Sequence, residues 1–207
     1  TILIITSDHG ENIGDHGLMS HAYSLHDTLI RVPLIIRYPD GFPKGGRVQH
    51  QVQLTDVLPT LLDILQLDRP DVRDDLQGIS LLDMPSSVQK RPAYAEMVAP
   101  HPSIPALNRR AGLPEDTPQP ELDRALRCLR TPEHKFIWAS NGQHALYDLR
   151  RDPQEHTNRY NDEPKLAAAL EKALRAWQPP TGVPLNPPQP EMPPDVQQRL
   201  RALGYID

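Results

Sequence analysis

The amino-acid sequence predicts an α/β fold followed by a smaller antiparallel β unit. An unbroken apolar run at residues 2–5 leads into a polar loop, and a second apolar run at residues 32–36 is followed by a helical pattern. This order of strand, loop, strand and helix is typical of α/β domains. Three short strand patterns with short turns between them follow within residues 126–149, and they predict an antiparallel sheet.

Each element of the first unit has its own signal. Residues 2–5 are mostly β-branched, and such a run is typical of a strand that is buried on both faces of a parallel sheet. Residues 32–37 form a second strand of this type, with Pro33 near its start, where a missing donor is tolerated. Thr55 is expected to cap a helix with one apolar face. The charged residues 68–92 are interpreted as a connector.

The second unit begins with a strand at residues 93–98. The proline-rich residues 99–121 show no periodicity, and we expect them to form a long loop. Further strands are expected at residues 126–130, 135–139 and 145–149. Asp162 should cap a helix whose apolar side chains recur on one face. Residues 179–194 predict an extended, stiff segment, and residues 195–203 a short terminal helix.

Composition limits the partners of the chain. The 207 residues carry a formal net charge of −5 and no basic cluster, so we expect no nucleic-acid partner. No apolar run approaches the roughly 20 residues needed to span a bilayer. The single cysteine, Cys128, excludes an intrachain disulfide and is interpreted as a core residue. The cellular compartment is left open.

Residues able to bind a metal or transfer a proton are concentrated directly after the first strand. They are Asp8, His9, Glu11, Asp15, His16, His21, His26 and Asp27. In open α/β sheets, sites form beyond the carboxyl ends of strands. The adjacent pair Asp8 and His9 offers a hard oxygen and a borderline nitrogen, a combination that suits a divalent metal, although at least two further ligands must come from elsewhere. Alternatively, Asp8 caps a turn and His9 is a partly exposed polar residue. Gly10 permits a close approach of backbone or substrate.

The same loop carries the strongest resemblance to a known family. Residues 6–19, TSDHGENIGDHGLM, resemble the sulfatase pattern T-S-D-(H/N)-G-E-x-x-G-D-H-G-L. Further segments similar to that family follow in order: LIRVPLIIR at 29–37, DVLPTLLD at 56–63, LQGISLL at 76–82, KFI at 135–137, LYDL at 146–149, DPQE at 152–155 and LGY at 203–205. The resemblance therefore extends over most of the chain.

The resemblance implies a place in the alkaline-phosphatase superfamily. Residues 1–85 would then be the C-terminal part of the α/β catalytic domain, an alkaline-phosphatase-like mixed sheet with helices. Residues 92–178 would form its small antiparallel subdomain with one helix, and residues 179–207 a proline-rich tail ending in a short helix. The family positions that match Asp8 and His9 bind a divalent metal, most often calcium, with manganese or magnesium as alternatives.

The resemblance also assigns roles within the loop. His at the second position of the metal pair is closer to the choline-sulfatase and phosphonate-monoester-hydrolase branch than to arylsulfatases with Asn there. His21 occupies a position where the family often has lysine, and we expect a catalytic role as general acid or oxyanion donor. His16, His26, Glu11 and Asp27 are interpreted as structural loop residues.

One part of the family's machinery is missing from this sequence. Sulfatases use a formylglycine nucleophile made within C/S-x-P/A-x-R, and the residues that follow Cys128 do not fit that motif. The resemblance thus implies a fragment that is inactive alone, whose full-length protein is a metal-dependent sulfuric ester hydrolase acting on a small-molecule sulfate ester. Alternatives are a phosphonate monoester or phosphodiester hydrolase, and a non-catalytic interaction domain. Strands that lack their sheet partners predict either self-association into a homo-oligomer or a compensating partner chain.

Overall fold

The computed structural model describes residues 1–67, 70–82, 91–98 and 103–177, with isolated positions beyond them at 196, 198 and 199. Thr1–Trp177 form one compact unit and Gln178–Asp207 another. The predicted extended segment at 179–194 and nearly all of the predicted terminal helix lie outside the described residues. No helix within the described ranges has the length and apolar composition that crossing a membrane requires.

The first two predicted strands are present, and they pair with each other. Strand β1 (Leu3–Thr6) lies antiparallel to β4 (Leu34–Arg37), with Ile4 opposite Ile36. Both runs have the apolar pattern typical of strands in a parallel sheet, but within the described residues these two strands are antiparallel neighbours. Antiparallel neighbours can be joined by a connection that returns directly, whereas parallel neighbours need a crossover. The intervening loop makes this direct return.

One face of this two-stranded sheet is apolar and open to solvent. Leu3, Ile5 and Ile35 are 49%, 50% and 58% exposed. Ile5 and Ile35 are cross-strand partners, so they extend one continuous patch. The prediction of a strand buried on both faces thus fails within the described residues. The second face of the sheet, which carries Ile4, Leu34 and Ile36, is only partly buried.

The helix α2 (Val57–Ile64) follows a 3-10 turn at Leu54–Asp56. Thr55 is not its cap. The fully buried Asp56 instead accepts hydrogen bonds from the backbone N–H of Gln53 at 2.8 Å and of Ile79 at 2.9 Å, and from the Arg91 guanidinium at 2.5 Å. A buried carboxylate with three donors defines the start of the helix more strongly than a threonine hydroxyl does. The predicted connector contains a short helix, α3 (Pro70–Arg73).

The second sheet confirms the predicted antiparallel strands. Its order is β5-β6-β7-β8, and the strands are β5 (Ala93–Met97), β6 (Leu126–Arg130), β7 (His134–Ala139) and β8 (Ala145–Asp148). Each pairs antiparallel with its neighbour in sequence.

The stretch predicted as a long loop contains a helix, α4 (Ile104–Arg110). Pro105 lies in the first turn of this helix, where the backbone N–H that proline lacks would have no partner within the helix. The prolines of this stretch are therefore compatible with a helix. The buried Asn108 donates to the backbone oxygens of Glu115 at 3.0 Å and Thr117 at 2.8 Å. This side chain therefore orders the segment that follows the helix.

Both faces of the second sheet are covered. The helix α5 (Pro164–Ala176) packs Ala167 and Leu174 against one face. Its N-cap is Glu163, one residue after the predicted Asp162. On the other face, Cys128 belongs to a cluster that includes Leu25 from the loop after β1. Cys128 is fully buried, as predicted, and burial raises the pKa of its thiol to about 12.

Candidate active site

The loop after β1 folds into a short ribbon. Strand β2 (Asn12–Ile13) pairs antiparallel with β3 (Met19–Ser20), and a 3-10 turn at Asp15–Gly17 closes the end. Asn12 lies opposite Ser20 in this pairing. The residues that flank this pair, Glu11 and His21, are therefore brought side by side although they are ten positions apart.

The start of the ribbon is fixed against the helix α1 (Asp27–Ile30). The backbone N–H of Gly10 donates to the oxygen of Leu29 at 2.7 Å, and a Cβ at Gly10 would overlap the carbonyl of Thr28. The Thr28 hydroxyl donates at 2.6 Å to the side-chain oxygen of Asn12, which is fully buried. Gly10 is thus required for a close approach of two backbone segments.

Asp8 and His9 present two ligand atoms to the same space. His9 Nδ1 lies 2.8 Å from the Gly10 carbonyl oxygen, which only accepts, so Nδ1 carries the proton in this contact and Nε2 is left for another partner. That Nε2 lies 3.7 Å from Oδ2 of Asp8. The backbone N–H of His9 donates to Oδ1 of Asp8 at 3.0 Å and lowers the pKa of this carboxyl.

This pair fits a divalent cation. Metal–nitrogen bonds of about 2.0–2.1 Å and metal–oxygen bonds of about 2.0–2.6 Å allow one ion to bond to two atoms 3.7 Å apart. The hydrogen bond from Nδ1 to a backbone carbonyl is the usual contact that orients a metal-binding imidazole. Two ligands do not fill a coordination shell, so a bound cation would need further ligands.

His21 lies directly beside this pair. Its ring stacks on that of His9 with centroids 4.4 Å apart and planes at 25°. Its Nδ1 lies 3.0 Å from Oε2 of Glu11, and the two side chains are 52% and 47% exposed. The structure therefore brings together the three residues predicted for the site. It adds Glu11, whose proximity to His21 depends on a ribbon that no sequence signal revealed.

Ligand atoms of His9, Glu11 and His21 lie close enough together for one ion, and those of His16, His26 and Glu155 form a second such group at the far end of the loop. The rings of His16 and His26 stack with centroids 3.6 Å apart and planes at 9°. An imidazole binds an ion in its own ring plane, and two nearly parallel planes at this spacing do not converge on one ion. Burial, and then the neighbouring His26, lower the pKa of His16. We interpret this group as packing rather than as a metal site.

The end of the loop is held by charged residues of the second sheet. Lys135 is fully buried, with its Nζ 2.6 Å from Oδ1 of Asp27 and 2.5 Å from Oε1 of Glu155. The same Nζ donates to the Leu25 oxygen at 3.1 Å. Arg130 donates to both oxygens of Asp27, through Nε at 3.0 Å and Nη2 at 2.7 Å. These contacts define the loop anchor: Leu25, Asp27, Arg130, Lys135 and Glu155.

The anchor strongly favours charged carboxylates. Burial alone would raise the pKa of Asp27, but the hydrogen bonds from Arg130 and the charge of Lys135 outweigh it and lower this pKa to about 2. The pKa of Glu155 is lowered in the same way against its burial, by His26 and Lys135. Sequence reasoning missed this anchor, and its only signal was a lysine near the start of a mostly apolar strand.

A groove of about 1350 Å³ opens beside the site. Asp8, His9 and His21 line one part of it. Apolar side chains of β4 and β5 line other parts of it. The groove therefore has one polar wall that carries the candidate ligands and one apolar wall. Pockets that mix a few convergent polar groups with apolar walls are typical of small-molecule sites.

Comparison with known proteins gives a consistent result. A sequence model of the family described as Sulfatase matches residues 1–67. The chain is 32% identical over 179 residues to arylsulfatase K of Gallus gallus. The matched residues make up 85% of this chain and 31% of that protein. The chain thus spans about a third of the length of this relative.

The fold is also similar to solved structures. A protein determined in complex with its substrate, D-glucosamine-2-N,6-O-disulfate, superposes with a TM-score of 0.65 at 25% identity, covering 84% of this chain and 33% of that one. The phosphonate monoester hydrolase of Agrobacterium radiobacter superposes with a TM-score of 0.62 at 28% identity, covering 84% and 35%. The predicted family and the α/β, alkaline-phosphatase-like fold class are confirmed, while the branch within the family stays a prediction.

Proposed function

We propose, because this chain belongs to the sulfatase family, that the full-length protein is a metal-dependent sulfuric ester hydrolase with Asp8 and His9 as two of its metal ligands. The supporting observation is the 3.7 Å separation of Asp8 Oδ2 and His9 Nε2, with the other nitrogen of His9 occupied by the Gly10 carbonyl. Calcium is the cation we favour, with manganese or magnesium as alternatives. When bound, it would polarise the ester oxygens and favour an ionised nucleophile.

The residues of this chain bind and protonate rather than attack. No C/S-x-P/A-x-R motif occurs in the 207 residues, so in this proposal a formylglycine nucleophile is supplied from outside them. His21 acts as the general acid. As the bond between sulfur and the leaving oxygen breaks, the proton on its Nε2 passes to that oxygen, and the ring is left neutral. The half-exposed position of His21 at the groove gives the leaving group access to it.

The proposed substrate is a small sulfate ester. The polar part of the groove lies at Asp8, His9 and His21, and its apolar walls can accept the organic part of the ester. The likeness to a protein solved with a disulfated glucosamine makes a sulfated sugar a suitable second test substrate.

A phosphonate monoester hydrolase is the second candidate. The specific support is the superposition on the Agrobacterium radiobacter enzyme at 28% identity. Both activities would use the same cation and the same leaving-group acid. They differ in the charge and shape of the anion, so they are separated by substrate preference.

The test uses the full-length protein and two chromogenic esters, 4-nitrophenyl sulfate and 4-nitrophenyl phenylphosphonate. Removing metal with a chelator should abolish turnover, and adding calcium or manganese should restore it. Asp8→Asn should reduce the bound metal, measured by plasma mass spectrometry. It should also lower kcat/KM at least about 100-fold, because a catalytic cation contributes several kcal/mol to the transition state.

The control variant is Asp40→Asn, which changes an exposed aspartate in a turn that does not itself line the groove. It should leave both metal content and turnover unchanged. Wild-type metal content and kcat/KM in Asp8→Asn would refute the assignment of the metal pair. A higher kcat/KM for the phosphonate than for the sulfate would favour the second candidate.

A further inference from the structure

We propose that Glu11 is a positioning residue that holds His21 in the orientation needed for proton transfer to the leaving group. This inference rests on the proposed function and deepens it. The Glu11 carboxylate accepts the hydrogen on Nδ1 of His21, and the ring then directs Nε2 toward the substrate. Glu11 itself touches neither the ester nor the reacting atoms.

The chemistry of the contact sets the orientation. A carboxylate only accepts hydrogen bonds, so the 3.0 Å contact between Glu11 Oε2 and His21 Nδ1 places the proton on Nδ1. The second nitrogen, Nε2, lies on the opposite side of the ring, where it does not contact Glu11. A carboxylate that orients an imidazole through one nitrogen, while the other nitrogen reacts, is a recurrent arrangement in hydrolases.

The ring of His21 is confined from a second direction. It stacks on His9, with centroids 4.4 Å apart and planes at 25°. The carboxylate fixes the edge of the ring, and the stack fixes its face. Together they restrict rotation about both side-chain torsions, which is the preorganisation that a general acid requires.

The position of Glu11 is itself fixed by its neighbours in sequence. Gly10 is hydrogen-bonded to Leu29, and Asn12 is fully buried and bonded to Thr28. The backbone of Glu11 is therefore held on both sides, while its side chain is 47% exposed. An exposed pair of this kind adds little to folding stability, so its loss should leave the fold intact and any change in kcat should report on the site.

The role predicts a specific kinetic signature. If Glu11 acts through His21, its loss should lower kcat and leave KM nearly unchanged, because leaving-group protonation occurs only in the transition state. The loss should be greatest for alkyl sulfates, whose leaving oxygens need the proton, and small for 4-nitrophenyl sulfate. We expect Glu11→Leu to lower kcat for an alkyl sulfate by about 10- to 100-fold, which is the range for residues that orient an imidazole through its second nitrogen.

The experiment compares Glu11→Leu, Glu11→Gln and His21→Gln in the full-length protein. Glutamine retains an oxygen that can accept from Nδ1, so Glu11→Gln should recover most of the kcat that Glu11→Leu loses. Selective ¹⁵N labelling of histidine, with His21 assigned by its loss in His21→Gln, should show a protonated Nδ1 in the wild type and in Glu11→Gln. Glu11→Leu should shift the neutral ring toward the form protonated on Nε2.

The matched control is Glu115→Leu, which removes a similarly exposed glutamate paired with Arg109 outside the loop. It should change neither kcat nor the His21 signals. An active enzyme in which Glu11→Leu matches the wild type on alkyl sulfates overturns the positioning role and leaves the proposed function standing. Loss of bound metal in Glu11→Leu also overturns it, because Glu11 would then act on the cation. A wild-type protein inactive on every sulfate ester overturns the proposed function instead.

Discussion

Replacing Lys135 by methionine should be the most destabilising single change in the loop anchor. Methionine nearly matches the length of the side chain but removes a fully buried charge that lies 2.6 Å from Asp27 and 2.5 Å from Glu155. Asp27 keeps its two contacts with Arg130. Glu155, whose side chain is 1% exposed, keeps the backbone N–H of Asp27 at 2.7 Å and the contact with His26 at 3.4 Å, but it loses its only lysine partner among the described residues.

The expected loss of stability follows from the difference between the partners that Asp27 and Glu155 keep. Removing one partner of a buried ion pair typically costs about 3–5 kcal/mol, because the other charge remains buried without compensation. Since Asp27 keeps Arg130 at 2.7 Å while Glu155 keeps only the longer contact with His26 and a backbone N–H, most of the penalty falls on Glu155. A second change, Glu155→Gln, removes that charge and should recover a large part of the loss. The free energy of unfolding is measured by urea titration of the full-length protein.

The control for this measurement is Lys165→Met, which alters an exposed lysine on α5 and should change stability by less than about 0.5 kcal/mol. Hydrogen exchange at residues 21–27 should also accelerate in Lys135→Met, because the Leu25 oxygen loses its donor. A loss below about 1 kcal/mol, or a Lys135→Met/Glu155→Gln variant no more stable than Lys135→Met, would refute the reasoning.

Three further predictions follow from other features. The pKa of Asp27 is lowered from 3.8 to about 2 in the folded state, so its contribution of about 2 kcal/mol is complete above about pH 4 and is lost as the pH falls toward 2. Acid titration should show this loss, and an Asp27→Asn variant without a shallower acid transition would contradict it. Cys128 should react with a thiol reagent only after unfolding, and rapid labelling of the folded protein would contradict its burial. This chain, expressed alone, should self-associate through the open face at Ile5 and Ile35, and Ile5→Lys should reduce the mass seen by light scattering.

The strands β1, β4 and β5 to β8 and the helix α5 could be predicted because their signals are local. The β-branched run before Thr6 and the short turns of the second sheet specify elements without reference to distant residues. The pairing of Ile4 with Ile36 is not encoded in this way, since either direction buries the same side chains. The start of α2 was also missed, because Asp56 receives donors from Ile79 and Arg91, which are remote in sequence.

In the candidate site, too, residues with local sequence signals could be predicted, and residues that depend on distant contacts could not. Asp8, His9 and His21 could be identified because they fall within a run of residues that resembles a known family. Glu11 was interpreted as a structural residue because only the ribbon of β2 and β3 places it against His21. Lys135 was read as part of a strand, and nothing local connects it with Asp27, which lies more than a hundred positions earlier.

The loop anchor has a consequence for how this protein can be divided. The histidine-bearing segment ends at residue 27, yet the cation that supports its last turn, Lys135, is contributed by a strand of the other sheet. The two parts are therefore not exchangeable modules. A hybrid that takes residues 1–85 from one homologue and the remainder from another would keep this loop in place only if the matching lysine and acid came with it. A substitution at Lys135 therefore acts on the loop of the candidate site from more than a hundred positions away.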